Sequence, residues 1–318
     1  MSLINNNNSI TKTFTDHLIK ISKKNKKIIV LDADLADDLD LYKFRDNFPN
    51  RFIQNGIAEQ DMVSMAGGIS RSGLIPIVNS FAAFLTSRAN EQIYNNATEK
   101  TKIIYLSLYA GLLPAGAGKS HQSIRDIGLI GSIPNFKIYH PANFFEVKGV
   151  LDHCVKNEKK NCLIRINIGP APKSLINRRI KFREGVGTVL KNGNSAIVFS
   201  YGQFIIDQVL KAAEILSKSN ISIKVVNISS LNSFKLNWYK KTCKDFKKIF
   251  CIEDHYKTGG LSDNLLSFLV QNEILKDKGF YSRSIKDFPE CGTVAEVLKF
   301  HKLDFKSIAE FLKSKIDK

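Results

Sequence analysis

The chain is poor in the features that staple or anchor a protein. Its five cysteines (Cys154, Cys162, Cys243, Cys251 and Cys291) include no Cys-x-x-Cys pair, so neither a disulfide scaffold nor a zinc ribbon fits. No apolar run approaches the ~20 residues that cross a bilayer. The segment from Met1 to Ile10, with four consecutive asparagines, lacks the apolar core of a signal peptide. The expected compartment is therefore a reducing cytoplasm. Acidic residues are scarce as well: Asp and Glu number 30 against 47 Lys and Arg, a formal charge of +17.

Such a charge raises a nucleic-acid or anionic-membrane partner. The lysines, however, sit in short scattered runs, at 23–27, 156–160, 240–241 and 247–248, each flanking an apolar stretch. That is the pattern of solvated helix ends and loops. The chain has no RNP-like motif, zinc-finger spacing or continuous basic helix, so neither nucleic acid nor membrane is expected as a partner. A basic surface still favours acidic small molecules or an acidic protein.

What is present is an ordinary globular composition, 43% hydrophobic and 24% charged over 318 residues. That length is about twice the ~150 residues of a comfortable single core. Short apolar strands are expected at 27–31, 51–54, 75–80, 102–108, 137–139 and 162–166. They alternate with helical periodicity at 11–22, 59–72, 82–98 and 143–157. After a basic, proline-bearing stretch the pattern resumes with strands at 195–200, 223–226 and 248–252 and a helix at 204–218. Alternation of this kind builds doubly wound parallel sheets. The expected fold class is α/β: two three-layer α/β/α domains with mainly parallel sheets, at 1–172 and 186–318, joined by a linker at 173–185.

Three segments could carry chemistry. In Asn55-Gly56-Ile57-Ala58-Glu59-Gln60-Asp61-Met62 a carboxylate stands in the first turn of a helix just after a strand. The macrodipole favours it there, so helix capping explains it without any function. Set between a sheet edge and an apolar helix, the same glutamate could share a proton with a ligand nitrogen. In Ser80-Phe81-Ala82-Ala83-Phe84, followed by Arg88, two phenylalanines stand three apart at a strand–helix junction. They suit a core, or a wall for a flat ring at the carboxyl edge of the sheet, where open α/β sheets place ligands. The run Gly116-Ala117-Gly118-Lys119-Ser120-His121-Gln122 fails the phosphate-loop template because position 113 is Leu113. His121 matters only if that loop faces a cleft.

In this order and spacing the three segments resemble the C-terminal half of the transketolase family. Leu31-Asp32-Ala33-Asp34, Asp126-Ile127, Glu253-Asp254-His255 before Gly259-Gly260, and Cys291-Gly292-Thr293 extend the likeness over most of the chain. The Gly-Ile-Ala-Glu-Gln block is shared with other thiamin-diphosphate enzymes; its combination with Ser120-His121-Gln122 is more specific to transketolases. The resemblance implies thiamin diphosphate as cofactor and transfer of a two-carbon ketol unit from a ketose (phosphate) to an aldose. It assigns Glu59 to the pyrimidine ring nitrogen, where it drives the imino tautomer that removes the thiazolium proton. Phe81 and Phe84 would form the pyrimidine pocket, with Arg88 and Asp34 near the cofactor. His121, Tyr109 and Arg165 would meet substrate, His121 also lining the catalytic channel.

Two departures bear on the substrate. Ala117 replaces an acidic residue that contacts a donor hydroxyl in many transketolases, and Tyr109 stands where a substrate-contacting histidine is common. Such changes alter hydrogen-bond complementarity enough to exchange one sugar for another. The family's Gly-Asp-Gly, which with a later Asn holds the metal and diphosphate, occurs nowhere here. The resemblance therefore implies half of a split enzyme. A separate N-terminal subunit would carry Gly-Asp-Gly and hold Mg2+ or Ca2+, this chain would have no metal ligands, and an α2β2 assembly would contain a homodimer of it. The alternatives are a β subunit of a 2-oxo-acid dehydrogenase-like complex and a non-catalytic basic interaction or nucleic-acid-binding protein. Deoxyxylulose-phosphate synthase fits less well, since it normally carries three domains on one chain. For the second domain, Asp254 and His255 read as helix-start groups and the cysteines as buried fillers.

Overall fold

The computed structural model describes residues 9–113 and 115–317. The first unit runs α1 (Ile10–Lys24), β1 (Ile28–Asp32), α2 (Tyr42–Asn47), β2 (Phe52–Gln54), α3 (Glu59–Arg71), β3 (Ile75–Phe81), α4 (Ala82–Arg88) and α5 (Asn90–Thr98). It continues with β4 (Ile104–Leu108), α6 (Asp126–Gly131), β5 (Lys137–Tyr139), α7 (Phe144–Lys156) and β6 (Cys162–Ile166). Its six strands are parallel in the order β2-β1-β3-β4-β6-β5. β1, β3, β4 and β6 are buried along their whole length, as strands covered on both faces must be.

The second unit follows a short α8 (Lys173–Ile176). It comprises β7 (Thr188–Lys191), β8 (Ala196–Ser200), α9 (Gln203–Ser217), β9 (Ile223–Asn227), α10 (Leu236–Cys243), β10 (Lys248–Tyr256), α11 (Leu261–Gln271), β11 (Gly279–Ile285), α12 (Val294–Phe300) and α13 (Phe305–Ile316). The sheet order is β11-β10-β8-β9-β7, parallel except for β7, which pairs antiparallel with β9 at the edge. The expectation of two α/β units with mainly parallel sheets holds. The strands β7 and β11 and the helices α2, α6, α8, α10, α12 and α13 were not legible in the sequence.

Helix α1 packs on α7 over one face of the first sheet, while α3 to α6 cover the other. The second face is continuous with the other domain. One apolar cluster takes in Leu31, Val63, Tyr105 and Ile138 together with Ile197, Phe199, Val226 and Ile249. The backbone bonds His140 N–H to Ser229 O (2.8 Å) and Leu231 N–H to Ile138 O (2.9 Å) stitch edge strand β5 to the segment after β9.

The expected long helix over 82–98 is broken. At Ala89 the backbone leaves helical values (φ −100°, ψ 21°), dividing α4 from α5. Thr86 Oγ1 donates to Ala82 O (2.6 Å) and Asn90 Nδ2 to Thr86 O (3.1 Å), so side chains compete for carbonyls of the helical ladder. Ala89 itself is buried, and the break turns α5 back onto α3, where Asn96 Nδ2 reaches Val63 O at 2.8 Å.

Candidate active site

Helix α3 buries Met62, Val63 and Ala66 at three- and four-residue spacing, and this apolar face carries its first residue, Glu59, inside as well. Glu59 is only 1% exposed. Two donors meet it: Ser80 Oγ from the end of β3 (3.2 Å to Oε1) and Arg88 Nη1 from the end of α4 (2.6 Å to Oε2). The guanidinium, its side chain 45% exposed, also lies over the Phe84 ring at 4.8 Å. A cation-paired carboxylate at a helix start is thus placed inside the carboxyl edge of a parallel sheet.

An aromatic wall adjoins it. Phe81 and Phe84 have ring centroids 5.7 Å apart; Tyr109 packs on Phe81 at 4.6 Å, and His121 meets Phe84 edge-on at 5.1 Å and Phe81 at 5.8 Å. Phe81 is buried, whereas Phe84, Tyr109 and His121 remain partly open. Tyr109 holds φ 53°, a left-handed conformation uncommon for a bulky residue. Burial raises its hydroxyl's pKa, with the nearby Asp38 carboxylate adding to the rise. Asp38 comes from the turn after β1, and no motif in the sequence singled it out.

The structure thus brings Glu59, Arg88, Phe84, Phe81, Tyr109 and His121 into one chain of contacts. Asp34 lies apart from it. It sits exposed after β1 with φ 61°, its backbone N–H bonded to Gln54 Oε1 (2.9 Å), and its carboxylate has no hydrogen-bond partner among the described residues.

Arg165, expected to meet substrate, is committed in the structure to a buried ion pair. Its side chain is 0% exposed and pairs with Asp126, Nε to Oδ2 at 2.7 Å and Nη2 to Oδ1 at 3.1 Å. Its third nitrogen contacts His140 Nδ1 at 2.8 Å. The neighbouring carboxylates outweigh the cost of burial and hold the guanidinium charged. A buried cation so fully engaged has no face left for a sugar phosphate.

Three further expectations change in the second unit. Asp254 and His255 lie within β10, not at a helix start. The first turn of α11 is served instead by Glu253, which accepts Leu261 N–H (2.7 Å), Ser262 N–H (3.2 Å) and the Ser262 hydroxyl. Cys291 is exposed, unlike the other four cysteines.

Glu59 and the aromatic wall fit an aminopyrimidine. They offer a nearly dry carboxylate for a ring nitrogen, flat apolar rings for the ring face and a partly open histidine beyond. Ser107 Oγ, in register with Ser80 on β4, is buried without a hydrogen-bond partner among the described residues. Among the described residues no group of three or more His, Cys, Asp or Glu side chains is arranged to hold a metal ion. A cavity of about 610 Å³ opens nearby between Ala83 and Ser87 of α4, Arg125, and Lys286 and Phe288 of the second unit. Neither Glu59 nor His121 lines it.

Comparison with known proteins bears on the family. The transketolase pyrimidine-binding domain matches residues 7–169 and the transketolase C-terminal domain residues 185–308. A protein of Methanocaldococcus jannaschii named as a transketolase C-terminal section is 30% identical over 310 residues, 96% of each chain. A 1-deoxy-D-xylulose-5-phosphate synthase of Clostridium perfringens is 27% identical over 307 residues, covering 96% of this chain but 49% of the synthase. The chain therefore spans about half the length of that synthase. Among solved structures, a split-gene transketolase described as an inactive beta4 tetramer superposes with a TM-score of 0.84 at 26% identity, over 96% of this chain and 97% of that one. The transketolase of Campylobacter jejuni shares the fold, with a TM-score of 0.75 at 15% identity over 97% of this chain and 47% of its own. Both family domains, in order and over nearly the whole chain, place this protein in the transketolase family.

Proposed function

We propose that this chain is the C-terminal subunit of a split, thiamin-diphosphate-dependent transketolase that moves a two-carbon ketol unit between sugars. The observation that carries the reading is Glu59, 1% exposed at the start of α3 and linked through Arg88 to the Phe84–His121 wall. Thiamin diphosphate supplies an electron sink for the carbanion left when a ketose loses its aldehyde. Glu59 would hold a proton between its carboxylate and the pyrimidine ring, in a position from which water is excluded. To do so it must loosen its pairing with Arg88, whose side chain is 45% exposed and so can be rehydrated. Phe81 and Phe84 orient the ring, and His121 is placed to exchange hydrogen bonds with substrate hydroxyls. Asp34 remains a candidate at the boundary with the cofactor's diphosphate half.

The missing Gly-Asp-Gly, the half-length match to the synthase and the split-gene structural relative support a separate N-terminal subunit. That subunit would hold the metal and diphosphate, with the active site between the two polypeptides, in a cytoplasmic α2β2 assembly. The test compares ketol transfer by the pure chain, with cofactor and magnesium, against the chain mixed with an N-terminal subunit bearing Gly-Asp-Gly. Only the mixture should turn over, and Glu59→Gln should abolish turnover while still folding and assembling. Full activity of the chain by itself ends the split reading. Undiminished turnover by the Gln variant ends the role of Glu59, and a preference for 2-oxo acid donors moves the chain to the dehydrogenase-like alternative.

A further inference from the structure

His121 is carried by a loop that is closed at its base by reciprocal N–H···O bonds between Gly111 and Ser123, each 2.9 Å. Two buried side chains grip the backbone on either side of Gly111. From the second domain, Asp254 Oδ2 accepts Leu112 N–H at 3.2 Å across 142 residues of sequence. Gly111 is at φ +92°, and any Cβ there would collide with the same carboxylate, so backbone and acid are fitted to each other. Asp254 is 2% exposed.

The second grip comes from the first domain, and its polarity follows from chemistry. Arg165 is donor only, so His140 Nδ1 must accept from it, and the imidazole is neutral with its proton on Nε2. Burial, reinforced by the Arg165 charge, lowers the pKa of His140 well below the ordinary histidine value and keeps it in that form. His140 Nε2–H then donates to Asn167 Oδ1 (2.9 Å), which turns Asn167 Nδ2 onto Ala110 O at 2.8 Å. Asp126, Arg165, His140 and Asn167 thus form a relay with one allowed direction, ending on the carbonyl beside Tyr109.

We propose that Asp254 and Asn167 are positioning residues that clamp the backbone at 110–112 and so set where Tyr109 and His121 stand against Phe81 and Phe84. The proposal rests on reading that wall as the cofactor and substrate site. It gives the second domain a part in substrate recognition, exerted through a loop it does not itself contain.

Two measurements test it, the first independent of turnover. In the full chain, Asp254→Ala should speed amide hydrogen exchange at Leu112, Leu113 and residues 115–123 on the order of tenfold, the loss of one hydrogen bond. Protection of β4 and β10 should be unchanged. In the assembled enzyme the same variant should raise the donor KM about tenfold with thiamin diphosphate affinity unchanged. Asp254→Asn, able to offer its carbonyl oxygen to Leu112 N–H, should recover most of both effects. If Asp254→Ala does not fold, Asn167→Ala tests the other grip by the same readouts. Protection lost evenly over both sheets, or a loop and donor KM that do not move, overturns the proposal. If the unsubstituted assembly transfers no ketol unit, the functional reading fails, and the exchange measurement still decides the clamp.

Discussion

The guanidinium of Arg165 on β6 and the carboxylate of Asp126 at the start of α6 form a two-point ion pair with both side chains at 0% exposure. Each charge alone would be costly at that depth. The pair persists because two hydrogen bonds join its members and His140 takes the remaining nitrogen.

Removing one partner strands the other. Arg165→Met should therefore destabilise the folded chain by about 3–5 kcal/mol, seen as a lower urea midpoint at unchanged slope. A variant that unfolds at the parent's urea concentration, and merely binds sugar phosphates less well, would return Arg165 to the substrate site.

Glu253 predicts a pH dependence of opposite sign to the usual carboxylate. Burial pushes its pKa up to about 8, against hydrogen bonds from Ser262 and Leu261 that favour the anion. The folded protein therefore binds a proton that the unfolded chain has released above its ordinary value of 4.5. Stability contributed by this group is complete below about pH 4.5 and is lost as pH rises towards about 8. Relative to Glu253→Gln, the parent's unfolding free energy should fall across that window with a slope approaching one proton, about 1.4 kcal/mol per pH unit. Denaturant midpoints at several pH values measure it; parallel curves for the two proteins would contradict the buried-acid argument.

Specificity should follow Tyr109 and Ala117. The tyrosine holds a left-handed backbone against Phe81 and brings a hydroxyl near Asp38 where a histidine is common in the family. The double variant Tyr109→His, Ala117→Asp restores an imidazole and a carboxylate to the loop. In the assembled enzyme it should raise kcat/KM for ordinary ketose phosphate donors by about tenfold or more, leaving cofactor affinity alone. An unchanged ranking of donors would mean that specificity lies elsewhere.

The difference between Glu59 and Arg165 shows how far local pattern reaches. Glu59 was legible because a strand, a glycine and an apolar helix lie within a few residues of it, and those neighbours set its burial. Arg165 sits in a strand with no acid near it in sequence; its partners are 39 and 25 residues away. The break at Ala89 has both a local and a distant cause. Thr86 and Asn90 compete for carbonyls of the helical ladder, a weak signal in sequence, and the packing of α5 on α3 selects the turn.

The sequence by itself determined the α/β alternation, the helix start that carries Glu59, and the aromatic pair at the β3–α4 junction, because each depends on periodicity or contact over a few residues. Tertiary structure decided which charges are usable: it sealed Arg165 against Asp126, turned Arg88 onto Glu59, and sent Asp254 across to Leu112. The physical reason is desolvation. Whether a charge is free or committed depends on what the folded chain packs around it, and those neighbours are brought in from distant segments.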